Sequence, residues 1–183
     1  MNKQSIKTRA MIEKAFWELA WGYQTMDKIT VVEICKLADI HRSTFYQYYD
    51  DVYMLLKKMS EQYVQEIEDI FTQREAEIEH VIGEILQYVQ ARRKEIIFLK
   101  NNVEHTAFFE QTYALLGAYL KEKMCQEKEC ADRFENRAFF MLNFATAGCY
   151  NVFWNFLMLN NMADKSDVAI YLQEMIMLIA QTR

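Results

Sequence analysis

Apolar residues recur at three- and four-residue steps through most of this chain, and the places where that rhythm fails divide it into helices. From about Ser5 to Tyr23, the residues Ile6, Met11, Ile12, Ala15, Phe16, Leu19 and Tyr23 share one side, with Glu13, Lys14 and Glu18 opposite. Thr30 and Glu33 then make a capping box, in which each side chain accepts a hydrogen bond from the other residue's amide. Val31, Ile34, Cys35 and Ala38 form the narrow apolar stripe of the helix that follows. Ala38-Asp39-Ile40-His41 interrupts the period, and Arg42 to Tyr49 resumes it with Phe45 and Tyr49 inward. Two short helices around a four-residue break read as a helix-turn-helix. The outward side of the second carries Arg42, Ser43, Thr44, Tyr46, Gln47 and Tyr48, with many hydrogen-bond donors and no acid. A helix entering the DNA major groove needs such a surface.

The same periodicity predicts a fourth helix over about 51–71, a charged seam at Gln73–Glu79, and further helices over about 76–90, 95–100, 106–125 and 132–159. Arg92-Arg93-Lys94 breaks the pattern between the fifth and sixth, and Asn160-Asn161 stops the eighth. A last helix over about 166–181 is expected to start on a Ser166 cap. With no proline and 4 glycines in 183 residues, long helices joined by short polar loops are favoured over a sheet full of tight turns. The fold class read here is all-α, with a helix-turn-helix domain over 1–50 and a helical domain over 51–183, joined by the helix at 51–71.

Charge divides unevenly: residues 1–60 hold nine Lys or Arg against seven Asp or Glu, whereas the remainder is acidic and the total is −5. A mildly basic N-terminal third suits a modular DNA binder. No apolar run is long enough for a membrane span, and MNKQSIKTRAM lacks a signal core, so a cytoplasmic protein is expected. The four cysteines and three histidines show no zinc spacing. Cys35 and Cys149 read as small core residues; Cys125 and Cys130 flank Gln-Glu-Lys-Glu and are either incidental loop cysteines or a redox pair. No nucleophile–base spacing, Gly-rich phosphate loop or metal cluster suggests an enzyme, and no cofactor is expected.

At fixed offsets the first sixty residues resemble the TetR family of bacterial transcriptional regulators. Arg9, Ile12, Ala15 and Phe16 match its first helix, and Asp27-Lys28-Ile29-Thr30-Val31 the entry to its second. Ile34 to Ala38 match the body of that helix, Ser43-Thr44-Phe45-Tyr46 the recognition helix, and Leu55-Leu56 the start of the fourth. The resemblance implies about nine helices, three in a DNA-binding head and six in a body. It departs from the family where Asp39 stands for a turn glycine, and where Val52, after Asp50 and Asp51, stands for a phosphate-directed lysine.

Chemistry divides the candidate DNA contacts. Arg42 and Gln47 have forked groups that read base edges. Thr44, Tyr46 and Tyr48 suit phosphate oxygens, which position a helix without reading sequence; by resemblance the two tyrosines lie where the family contacts phosphate. Packing of Tyr46 or Tyr48 on helix one or four is the alternative. Thr30 offers a hydroxyl at a helix N-terminus, and Lys3, Lys7 and Arg9 form a basic arm.

The eighth helix is apolar nearly all round and must be covered on two sides. The resemblance assigns one side to a twin subunit, through the last two helices, with Phe153, Trp154, Tyr171, Met175 and Leu178 at the interface. A twofold dimer would present two recognition helices to a near-palindromic duplex. Phe98, Phe109, Tyr113, Phe140, Asn143, Phe144 and Tyr150 form either a pocket for a small apolar or amphipathic effector or an ordinary core in which Asn143 bonds backbone. The resemblance implies a homodimeric repressor released from its operator by such an effector. The other reading is a regulator acting mainly through a protein partner, with weak DNA contact of its own.

Overall fold

The N-terminal helix is built around residues that have almost no contact with solvent: Ile12 and Phe16 are fully buried, with Ala15 and Ala20 beside them. Burial of each such large side chain is worth about 1.5–3 kcal/mol, so the stripe decides which side of the helix faces inward. The computed structural model describes residues 3–72, 77–102, 107–124, 135–158 and 165–181. Among them every regular element is helical: α1 (Lys3–Tyr23), a 3₁₀ turn (Met26–Lys28), α2 (Val31–Leu37), α3 (Arg42–Tyr46), α4 (Val52–Phe71), α5 (Ile78–Ala91), α6 (Arg93–Asn102), α7 (Ala107–Met124), α8 (Glu135–Met158) and α9 (Lys165–Gln181). The all-α class read from periodicity is the class observed, with a helix-turn-helix near the N-terminus and a helical remainder.

These elements group into two compact units, Met1–Tyr63 with Lys94–Thr106, and Val64–Arg93 with Ala107–Arg183. The first therefore recruits α6, which the sequence division at 50/51 places with the body. Phe98 of α6 lies edge-on to Phe16, Trp17 and Trp21, with centroids 6.0, 5.7 and 6.3 Å away. At the end of α6, Asn102 donates to the carbonyls of Gln24 and Phe98 and accepts from the Met26 amide at 3.1 Å. Gln24 itself has φ 60, so this amide side chain clasps the left-handed residue at which α1 stops.

In the second unit α5 runs along α9 and α7 along α8. Val81, Ile82, Ile85 and Leu86 of α5 and Leu172 and Ile176 of α9 are buried. Gly117 of α7 faces the Thr146 side chain, to which an added Cβ would stand at 3.6 Å. Thr146 Oγ1 donates to the Leu142 carbonyl of its own helix, so this buried polar group is satisfied. On α4, Glu66 Oε2 accepts from Tyr88 and twice from Arg92, at 2.7–3.2 Å. Burial and this carboxylate together raise the Tyr88 hydroxyl above its usual range.

Several sequence expectations need adjustment. The break between α5 and α6 is Arg92 alone, because Arg93 starts α6; its guanidinium donates to the Leu157 and Met158 carbonyls that end α8. Ser166 falls inside α9 and is not its cap. The 3₁₀ turn was not legible in the periodicity. Cys125, Cys130, Asn160-Asn161 and part of the Gln73–Glu79 seam lie outside the described residues. Cys35 and Cys149 are free and buried, and burial raises the Cys149 thiol to about 11.

Candidate nucleic-acid interface

The start of α2 carries the capping box in full. The Glu33 amide donates to Thr30 Oγ1 at 3.3 Å, and the Thr30 amide donates to Glu33 Oε2 at 3.2 Å. The Thr30 hydroxyl also donates to Glu33 Oε2 at 2.7 Å, and Tyr23 donates to the other carboxylate oxygen. The bond from Tyr23, then that from Thr30, holds Glu33 below the usual carboxylate range. Thr30 is thus exposed, but its hydroxyl proton and oxygen both serve the cap.

Between the helices Asp39 takes φ 51, the left-handed position where the family resemblance has glycine, and the Ile40 amide closes the turn on the Cys35 carbonyl at 3.0 Å. Ile34 of α2 and Phe45 of α3 are both fully buried, and the two helices pack on one another. α3 is short. It ends at Tyr46, with Gln47 as its cap, and the amides of Tyr48 and Tyr49 both close on the Phe45 carbonyl. The expected helix to Tyr49 therefore tightens after one turn, because one carbonyl serves two amides and Tyr49 turns inward to burial.

Both neighbours grip that tightened end. Lys58 of α4 donates to the Tyr48 carbonyl at 2.9 Å, and its ammonium lies 5.3 Å from the centre of the Tyr49 ring. Tyr49 donates to Glu13 of α1 at 3.2 Å. Burial raises Glu13 above the usual carboxylate range, opposed by the bond from Tyr49 and by Arg9. The Arg9 guanidinium lies 5.5 Å from the Tyr48 ring centre. Glu13 is thus half-buried and bonded to Tyr49, where periodicity put it on the outer side of α1. At the start of α4, Asp51 accepts the Met54 amide at 2.7 Å, so this carboxylate caps a helix, while Val52 is buried.

The exposed residues of the motif are Arg42, Ser43, Tyr46 and Gln47; Thr44 and Tyr48 are half-buried. Tyr46 is 48% exposed and its hydroxyl accepts from Arg42 Nη2 at 3.4 Å. That bond is the first cause raising the Arg42 guanidinium above its ordinary value. Tyr48 packs between Arg9 and Tyr49, the alternative reading of this residue. Lys58 and Glu13 escaped the sequence reading. The periodicity places Tyr49 inward, but nothing in the spacing along α1 and α4 said that these two side chains would meet it.

The residues assigned to a pocket do not assemble as one group. Phe109, Tyr113 and Tyr150 come together: Tyr150 donates to the Phe109 carbonyl at 3.3 Å, lies 3.4 Å from the Thr112 hydroxyl, and meets the Tyr113 ring at 5.3 Å. Burial raises the Tyr150 hydroxyl above its usual range. Phe140 and Phe144 are each 68% exposed and so line no enclosed cavity in the single chain. Asn143 is exposed and donates to the Phe139 carbonyl of its own helix. Phe98 belongs to the first unit.

Of the proposed interface residues, Tyr171, Met175 and Leu178 are exposed, at 51–62%. Phe153 is buried within the chain, and Trp154 is half-buried with its ring 5.6 Å from Phe109. Both therefore serve the internal core. Among the described residues of α8 the exposed large apolar side chains are Phe139, Phe140, Phe144 and Val152 instead.

Among the described residues no three His, Cys, Asp or Glu side chains group to hold a metal, and no helix is long and apolar enough to cross a membrane. No family model and no curated protein matches the sequence. The structure is similar to the solved fatty acid degradation regulator FadR from Bacillus halodurans, with a TM-score of 0.57 over 96% of this chain and 95% of that one, at 14% identity. At that identity the likeness is one of fold.

Proposed function

We propose that this chain is a TetR-type DNA-binding transcriptional regulator, acting as a homodimer and released from its operator by a small apolar or amphipathic effector. The observation that carries the reading is α3: its inner residue, Phe45, is fully buried, while Arg42, Ser43, Tyr46 and Gln47 present an acid-free, donor-rich surface. The likeness to a bacterial regulator of the same fold supports it. Repression is the expected sense. The exposed apolar residues of α8 and α9 are the surface we assign to the second subunit.

Because the similar structure is named for fatty acid degradation, an acyl-chain ligand is the first effector to test. Phe109, Tyr113 and Tyr150 are the residues we assign to it, with Tyr150 and Thr112 as the polar end. Fluorescence anisotropy against duplexes from the chain's own locus, at two salt concentrations, tests the DNA reading. Saturable binding that weakens steeply with salt is expected. Absence of binding at low salt would favour the second reading, a regulator working through a protein partner, to which buried Val52 and the acids at 50 and 51 lend some weight.

A further inference from the structure

We infer that Tyr46 is a positioning residue for Arg42, and that the pair reads a guanine at one fixed position in each operator half-site. The inference rests on the DNA-binding reading above and refines it.

Arg42 is the first residue of α3 and Tyr46 the last, one helical turn further on, so their side chains lie along the same exposed edge. The N-terminal residues of a recognition helix are the ones that meet base edges in the major groove. Among the described residues no carboxylate forms an ion pair with Arg42; its partner is the Tyr46 hydroxyl, which accepts from Nη2 at 3.4 Å. A guanidinium carries five N–H bonds in a rigid plane. With one Nη2 proton engaged by the phenol, four N–H donors remain in that plane, enough for a bidentate fork. That fork matches the O6 and N7 acceptors of guanine, whereas adenine presents a donor in place of O6.

An unrestrained arginine at this exposed site must lose side-chain freedom when it binds a base. The phenol removes part of that loss beforehand, and does so for one geometry only. Tyr46 thus acts on sequence preference through Arg42, whereas a hydroxyl spent on a phosphate would strengthen binding to every sequence alike.

The test is enrichment from a randomised double-stranded DNA library with the full chain, followed by affinity measurements on the enriched duplex and on duplexes with each position changed. The wild type is expected to enrich a guanine at one position of each half-site. Arg42→Ala should lose preference there, with affinity falling about 5- to 150-fold per half-site contact. Tyr46→Phe keeps the ring and the fold. It should relax the preference at that same position, about 2- to 10-fold, and leave the others unchanged. In an Arg42→Ala background Tyr46→Phe should add nothing. Arg42→Lys keeps the charge without the fork and should relax the same position, which guards against a failure of Arg42→Ala to fold. Equal weakening by Tyr46→Phe on all duplexes, or a preferred base other than guanine at the Arg42-dependent position, would overturn the proposal. Enrichment of no sequence by the wild type would instead remove the DNA-binding reading, and this proposal with it.

Discussion

At the scale of single residues, Asp39 decides whether the helix-turn-helix closes. Its φ of 51 lies in a region that costs most L-residues about 1–2 kcal/mol, and aspartate adopts it more readily than a branched side chain does. Asp39→Val should therefore destabilise the chain by about 1–2 kcal/mol or more, whereas Asp39→Gly should be close to neutral. Urea unfolding followed by circular dichroism would measure both. A valine variant as stable as the wild type would show that the turn has another way to close. The residue itself was legible beforehand, since an acid at a glycine position is a visible departure. The role of Thr30 was only half legible. Its cap was readable from the spacing to Glu33, but the full use of its hydroxyl by that carboxylate emerges only when Tyr23 arrives from α1 to bind the other oxygen.

At the scale of elements, helix existence was legible and helix ownership was not. The apolar stripes of α1, α4 and α5 each repeat for at least three turns, and periodicity of that length leaves little alternative. α6 is ten residues long, and Phe98 and Leu99 look the same in a sequence whichever partner they meet. Phe98 consequently went to a pocket in the reading and to the tryptophans of α1 in the structure. Phe140 and Phe144 meet the same limit: an aromatic stripe does not say what covers it, and both are exposed in the single chain. The boundary residue Arg93 gives an element-scale prediction. Its guanidinium satisfies two carbonyls at the end of α8, where cations also suit the helix dipole. Arg93→Met should cost about 1.5–3 kcal/mol, read as a lowered urea midpoint, and Arg93→Lys should recover part of it. Unchanged unfolding in Arg93→Met would mean that water replaces the guanidinium without loss.

For the whole molecule, the proposed dimer depends on side chains that the single chain leaves uncovered. Leu178 is 57% exposed on α9, so Leu178→Glu should fold with unchanged helix content. It would also put a charge into an apolar interface, and self-association should weaken by at least about 100-fold. Sedimentation of the wild type as a dimer and of the variant as a monomer is the expected pair of results. Operator affinity should fall with it, since each half-site would then be held alone. Phe153→Glu is the contrasting case: Phe153 is buried inside the chain, so the variant should lose folded structure as well as partner. A Leu178→Glu protein that remains dimeric would place the interface elsewhere.

The union of α6 with the N-terminal helices bears on anyone who wishes to cut this chain or graft its first unit onto another protein. A fragment ending at residue 63 would leave behind Phe98, the ring that covers Phe16 and Trp17, and Asn102, the side chain that holds the stretch after α1. Such a fragment would bare its tryptophans to water and fray beyond Tyr23, however well its recognition residues were preserved. A workable chimaera has to carry residues 94–102 along with the head, so the transplantable module is discontinuous in the gene although it is one body in the fold.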